Sequence, residues 1–191
     1  MLFAAGHGTR MRPLTDEKPK PLIALGGRAL LDYNLMHFVN FGCDRVVINT
    51  HYLAEQIVEH ISRWRVASEL CISHESELLE TGGGIVKALP LLGSAPFFSA
   101  NADSFWIDGA EPALARLSAH FDAARMDALL LLVPRARAVG YQGAGDFDLD
   151  PESGELIRRS ARPFVFSGLH LFHPRLFAGR AATPFSLREL Y

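Results

Sequence analysis

Short apolar runs of strand length alternate with segments whose apolar residues recur at helical spacing, from the amino terminus to Val133. Few architectures accept that order. A strand, an amphipathic helix and a second strand form a crossover unit, and repeating the unit builds a mostly parallel sheet covered on both faces. Leu2 to Ala5, Arg45 to Asn49, Leu70 to Ser73, Pro96 to Ala100 and Ala128 to Val133 read as strands. Leu30 to Phe41 places Leu31, Leu35, Phe38 and Val39 at helical spacing and stops at Gly42, a residue suited to a left-handed cap. Ala54 to Trp64 and Pro112 to Ala124 read as helices, the second opened by a proline where proline is tolerated. Gly84 to Leu92 reads as a helix entered through three glycines. The expected fold is α/β, a mostly parallel (mixed) sheet with helices on both faces, in one domain over residues 1–191. The pattern weakens from Pro134 to Ala161, where Asp146 to Asp150 and Glu155 to Ile157 suggest a hairpin around Glu152–Gly154, and Val165 to Phe172 returns to strand.

Apolar residues make up 49% and charged residues 21%, enough for a sizeable core and contrary to disorder. The net charge of -2 carries no basic excess, which argues against nucleic acid as a partner. Cys43 and Cys71 each lie in an apolar run and read as small core residues. No histidines show the H-x-x-x-H spacing of a helical zinc site, and His170 with His173 reads as two solvated residues at a strand end. No apolar stretch approaches a membrane span, and the apolar start is too short for a signal segment. The expected protein is soluble and cytoplasmic, without a membrane partner. Its oligomeric state is open.

In a parallel sheet, ligands gather at the carboxyl ends of the strands, so the loops after Ala5, Ser73 and Ala100 are the places to look. The first of these contains Gly6-His7-Gly8-Thr9-Arg10-Met11-Arg12-Pro13. Two glycines let the backbone turn tightly and approach a ligand, and successive N–H groups in such a turn form a nest for anions. Arg10, Arg12, Lys18 and Lys20 add positive charge, Arg10 as a planar fork and Lys20 as a point charge. A dinucleotide fingerprint fails because Met11 stands at its third glycine, and a P-loop fails because no G-K-[ST] follows.

The run Gly6-x-Gly8-Thr9-Arg10-Met11-x-Pro13-Leu14-Thr15, followed by Lys18-Pro19-Lys20-Pro21-Leu22, resembles the signature of sugar-1-phosphate nucleotidylyltransferases, G-x-G-[ST]-R-[LM]-x-P-L-T then P-K-[PA]-[LM]. Leu79-Glu80-Thr81-Gly82-Gly83-Gly84-Ile85 resembles that family's base-recognition loop. Phe98-Ser99-Ala100-Asn101-Ala102-Asp103 resembles its strand ending in N-x-D. Lys87 to Gly93, Gly145-Asp146-Phe147 and Phe166-Ser167-Gly168 look like the subgroup acting on N-acetylmuramate 1-phosphate with UTP in bacterial cell-wall recycling.

The resemblance implies the Rossmann-like fold of nucleotide-diphospho-sugar transferases, with a nucleotide-binding part over about 1–133 and a sugar-binding part over about 134–191. It implies a nucleoside triphosphate and a sugar 1-phosphate as partners. Ala5, Gly6, Gly8, Thr9, Arg10, Met11, Glu80, Gly82, Gly83 and Asn101 would contact the nucleotide, and Gly145, Asp146, Ser167 and Gly168 the sugar. Arg10, Lys20 and Asp103 would be catalytic, with Asp103 holding Mg²⁺. The reaction expected is attack by the sugar phosphate on the α-phosphorus, with release of pyrophosphate.

Two features depart from the pattern. The family's second metal-binding Asp lies in a segment resembling W-x-D-x-G-T, which the 191 residues lack; a longer protein, another carboxylate or an incomplete metal site would each account for that. The lysine that many members direct at the sugar phosphate is also missing, leaving Arg158, Arg159 or Arg162 as substitutes or as a solvated patch. The alternatives are the same chemistry with GTP and mannose 1-phosphate, a nucleotide-sugar sensor without turnover, and a dinucleotide oxidoreductase, which Met11 disfavours.

Overall fold

A computed structural model describes residues 1–157 and 162–190, so Arg158 and Arg159 lie outside the described residues. The chain opens with β1 (Leu2–Phe3) and a small hairpin of β2 (Ala24–Leu25) and β3 (Arg28–Ala29). Then follow α1 (Leu30–Phe41), β4 (Arg45–Thr50), α2 (Ala54–Ser62), β5 (Glu69–His74), α3 (Glu80–Leu92) and β6 (Phe97–Asn101). After these come α4 (Ala113–His120), β7 (Ala128–Pro134), β8 (Asp148–Leu149), β9 (Leu156–Ile157) and β10 (Phe164–Phe172).

Six strands form one sheet in the order β5-β4-β1-β6-β10-β7. β1 runs parallel to β4 and β6, β4 parallel to β5, and β10 antiparallel to both of its neighbours. The sheet is therefore mixed and mostly parallel. Alternation along β4 sorts the core into two layers. Val46 and Ile48 pack with Leu31, Leu35 and Phe38 of α1, Ile57 and Ile61 of α2, and Leu114 and Leu117 of α4. Val47 packs on the other face with Ile85 and Ala88 of α3, Phe172, and Phe177 and Leu187 from the chain's last stretch.

Several elements match their sequence patterns. α1 ends at Gly42 in the left-handed region, φ 89°, and the expected hairpin forms as β8 paired with β9. Others differ. The first strand stops at Phe3, because the Ala4 N–H turns to the Asn49 side chain at 2.8 Å instead of continuing the ladder. The helix expected from Pro112 to Ala124 ends at His120, where Phe121 is extended. α3 begins at Glu80, four residues before the expected start, so all three glycines lie inside it.

His170 is not solvated. Its ring is buried between the rings of Phe166 and Phe172 and hydrogen-bonds Ser99 Oγ at 3.0 Å, and burial pushes its pKa down to about 3. His173 turns outward to accept the Arg175 N–H. Cys43 and Cys71 are free, half-buried thiols against opposite faces of the core. No helix among the described residues is long and apolar enough to cross a membrane.

Candidate active site

Because β1 sits between β4 and β6, the loops leaving their carboxyl ends converge on one cleft of about 440 Å³. One lip is the glycine turn. Ala5, Gly6, Gly8, Thr9 and Arg10 line it, while Met11 does not. A single 3₁₀ turn over Thr9–Met11 is all the helix that forms before Pro13.

Gly8 is confined twice. Its φ is +66°, and a Cβ there would meet Lys20 Cβ and Thr15 Cγ2, each at 3.0 Å. Thr15, fully buried, locks the turn by donating from Oγ1 to the Gly8 carbonyl at 2.9 Å, and Tyr52 Oη donates to the Thr15 carbonyl at 2.9 Å. Gly6 is the opposite case, since a Cβ at that position would meet nothing within 4 Å. The N–H groups of Gly6 and Gly8, both of which line the cleft, donate to no acceptor among the described residues, so they are available to an anion there.

Lys20 and Asp103 meet across this floor. Lys20 Nζ lies 2.6 Å from Asp103 Oδ2, both side chains partly exposed and both lining the cleft. Asn101, at the end of β6, lines it as well. Arg10 is exposed, with no ion pair among the described residues.

The opposite lip is the start of α3. Glu80 and Thr81 line the cleft, and Glu80 holds φ +56°, a left-handed conformation that is uncommon outside glycine. The resemblance suggested a loop whose glycines meet a base. On the side where a Cβ would stand, these glycines meet protein. A Cβ on Gly82 would lie 2.1 Å from the Phe185 ring, and one on Gly83 2.2 Å from the Thr183 carbonyl oxygen. The Gly82 N–H donates to the Phe185 carbonyl at 2.9 Å, and Leu187 N–H to Thr81 Oγ1 at 3.0 Å. A segment a hundred residues downstream thus lies along α3 and adds Ser186 to the cleft wall.

Gly145, Asp146, Ser167 and Gly168 stand outside this cleft. Gly145 has φ +90° and its Cβ would strike the Arg162 carbonyl at 1.8 Å. Asp146 accepts from the Phe166 N–H at 3.0 Å and pairs with Arg188 at 3.2 Å. Ser167 donates to the Leu131 carbonyl at 2.8 Å. Gly168 occupies the bulge of β10, φ +87°, where a Cβ would lie 2.8 Å from Asn101 Nδ2. It therefore makes room for a side chain of the cleft floor. Arg162 is exposed.

No group of three or more His, Cys, Asp or Glu residues able to hold a metal occurs among the described residues. Asp103 offers a single carboxylate beside the glycine turn. That fits Mg²⁺, which retains waters and takes one or two carboxylates together with substrate phosphates.

Sequence reasoning missed Asn49, Thr81 and Ser186 in the cleft wall and Glu75 behind it. Asn49 at the end of β4 and Glu75 just past β5 both sit at strand carboxyl ends, which was the available signal.

A family model described as nucleotidyl transferase matches residues 1–158. The chain is 38% identical over 197 residues to an N-acetylmuramate alpha-1-phosphate uridylyltransferase of Caulobacter vibrioides, covering 100% of this chain and 81% of that relative. It is 35% identical over 189 residues to an enzyme of the same name from Neisseria meningitidis serogroup B, covering 94% and 77%. Its fold is similar to the crystal structure of HddC from Yersinia pseudotuberculosis complexed with GMP-PN, with TM-score 0.74, 22% identity and coverage of 97% and 80%.

Proposed function

Because this chain belongs to the nucleotidyl transferase family, we propose that it is a cytoplasmic sugar-1-phosphate uridylyltransferase that joins UTP to N-acetylmuramate 1-phosphate and releases pyrophosphate. The observation that carries this reading is the cleft floor, where unpaired N–H groups, Arg10 and the Lys20–Asp103 pair converge. The two relatives support the choice of base and sugar.

In the reaction, a phosphate oxygen of the sugar 1-phosphate attacks the α-phosphorus. The new P–O bond forms as the bridge to the β-phosphate breaks, and pyrophosphate leaves with the electron pair. The nucleophile is already ionised at neutral pH, so no side chain has to take a proton. The protein's work is positioning and charge neutralisation. The Gly6–Gly8 backbone and Arg10 hold the triphosphate, and Lys20 offsets charge at the α-phosphate. Asp103 would hold Mg²⁺, which when bound supplies further neutralisation of the phosphates. The sugar is taken by the part after Val133, with Gly145, Asp146, Ser167 and Gly168 shaping that side.

Pyrophosphate release measured for UTP, GTP and CTP against N-acetylmuramate, mannose and glucose 1-phosphates tests the reading. UTP with N-acetylmuramate 1-phosphate is expected to give the highest kcat/KM. A preference for GTP with mannose 1-phosphate, or tight UTP binding with no pyrophosphate from any pair, would replace it.

A further inference from the structure

Glu75 is fully buried, and no step above uses it. Both carboxylate oxygens accept hydrogen bonds, Oε1 from Asn49 Nδ2 at 2.7 Å and Oε2 from the Leu79 N–H at 2.9 Å. Asn49, itself buried, accepts the Ala4 N–H on Oδ1 at 2.8 Å. The unbroken path therefore runs from Ala4, just before the glycine turn, through Asn49 and Glu75 to Leu79, just before the strained Glu80. Its two ends are the two lips of the cleft. The backbone holds the middle in place: the Glu75 N–H donates to the Thr50 carbonyl at 2.8 Å, and the His51 ring meets the Glu75 carbonyl at 2.9 Å. Gly84 makes room, since a Cβ there would lie 2.8 Å from Glu75 Oε1. Burying a carboxylate among neutral donors is costly, and apolar packing would stabilise the fold better. Such a group has a reason to be here if it fixes geometry.

We propose that Asn49 and Glu75 are positioning residues, a clamp that sets the distance between the glycine turn and the start of α3 and thereby the fit of the nucleotide. This rests on the nucleotide reading of the cleft. Glu75→Gln sets an amide NH₂ against either Asn49 Nδ2 or the Leu79 N–H. Asn49→Asp sets two carboxylates face to face. The exchanged pair, Asn49→Asp with Glu75→Gln, satisfies every bond again with one polarity reversed: Ala4 N–H to Asp, Gln NH₂ to Asp, Leu79 N–H to the Gln oxygen.

Amide hydrogen exchange reads the clamp without any ligand. Glu75→Gln is expected to speed exchange at Leu79 and at Ala4 together, by about tenfold or more, and the exchanged pair to slow both again. Acceleration at Leu79 alone would overturn the coupling. In steady-state kinetics, Glu75→Gln is expected to raise the nucleotide KM about tenfold with the sugar phosphate KM within about twofold, and the exchanged pair to restore it. Equal rises in both KM values, or recovery of Tm without recovery of the nucleotide KM, would reduce the pair to ordinary packing. A wild-type protein that binds no nucleotide would sink the reading of the cleft instead, and that result comes before any variant is made.

Discussion

The cleft has two glycine-rich lips, and their glycines exist for different reasons. On the Gly6–Gly8 lip, one glycine supplies a left-handed turn and the other faces open space. On the Gly82–Gly84 lip, every glycine is pressed by protein atoms: the Phe185 ring, the Thr183 carbonyl, and the Glu75 carboxylate. The first lip has open space where the Gly6 side chain would stand, and in the second that space is filled by the rest of the chain. A glycine run in a sequence announces close approach but does not say what approaches.

The contrast breaks most readily at the charges beside the first lip. Lys20→Ala is expected to lower kcat by roughly a hundredfold or more, the scale of removing one preorganised charge contact at about 2.7–4 kcal/mol, with Tm little changed because the Asp103 pair is partly exposed. Turnover equal to wild type would remove Lys20 from the chemistry. Next in size is the second lip. Gly83→Ala drives a Cβ into a backbone carbonyl and is expected to destabilise the fold by about 1–3 kcal/mol in denaturant titrations. An unshifted midpoint would mean that residues 183–185 do not press on α3 in solution. The smallest effect sharpens the comparison. Gly6→Ala has room and no left-handed φ, so its stability should hold or rise by about 0.4–1 kcal/mol while the nucleotide KM increases. A fall in stability there would make both lips architectural.

Legibility followed the range of the interactions. α1 and its stop at Gly42 were readable because periodicity and cap are local. So was the glycine turn, whose bracing by Thr15 and Lys20 comes from within its own motif. The start of α3 was not, because Glu80 enters the helix from a left-handed conformation beside the Glu75 carboxylate, and nothing in Leu79–Ile85 reveals that support. The antiparallel course of β10 was equally hidden, since an apolar run looks the same in either direction. Gly168 shows an intermediate case. Its Phe166-Ser167-Gly168 motif could be picked out in the sequence, but its contact with Asn101 spans 67 positions and left no local trace.

The bond between Lys20 and Asp103 keeps the resting cleft nearly self-neutral at its base. A lone chloride that lures the ammonium away strands a carboxylate, and a lone cation that captures the carboxylate strands an ammonium. Each loss is modest, because both side chains are partly exposed to water. Under the proposed function, a polyphosphate arriving with its cation would bring both signs at once and leave neither Lys20 nor Asp103 without a counter-charge.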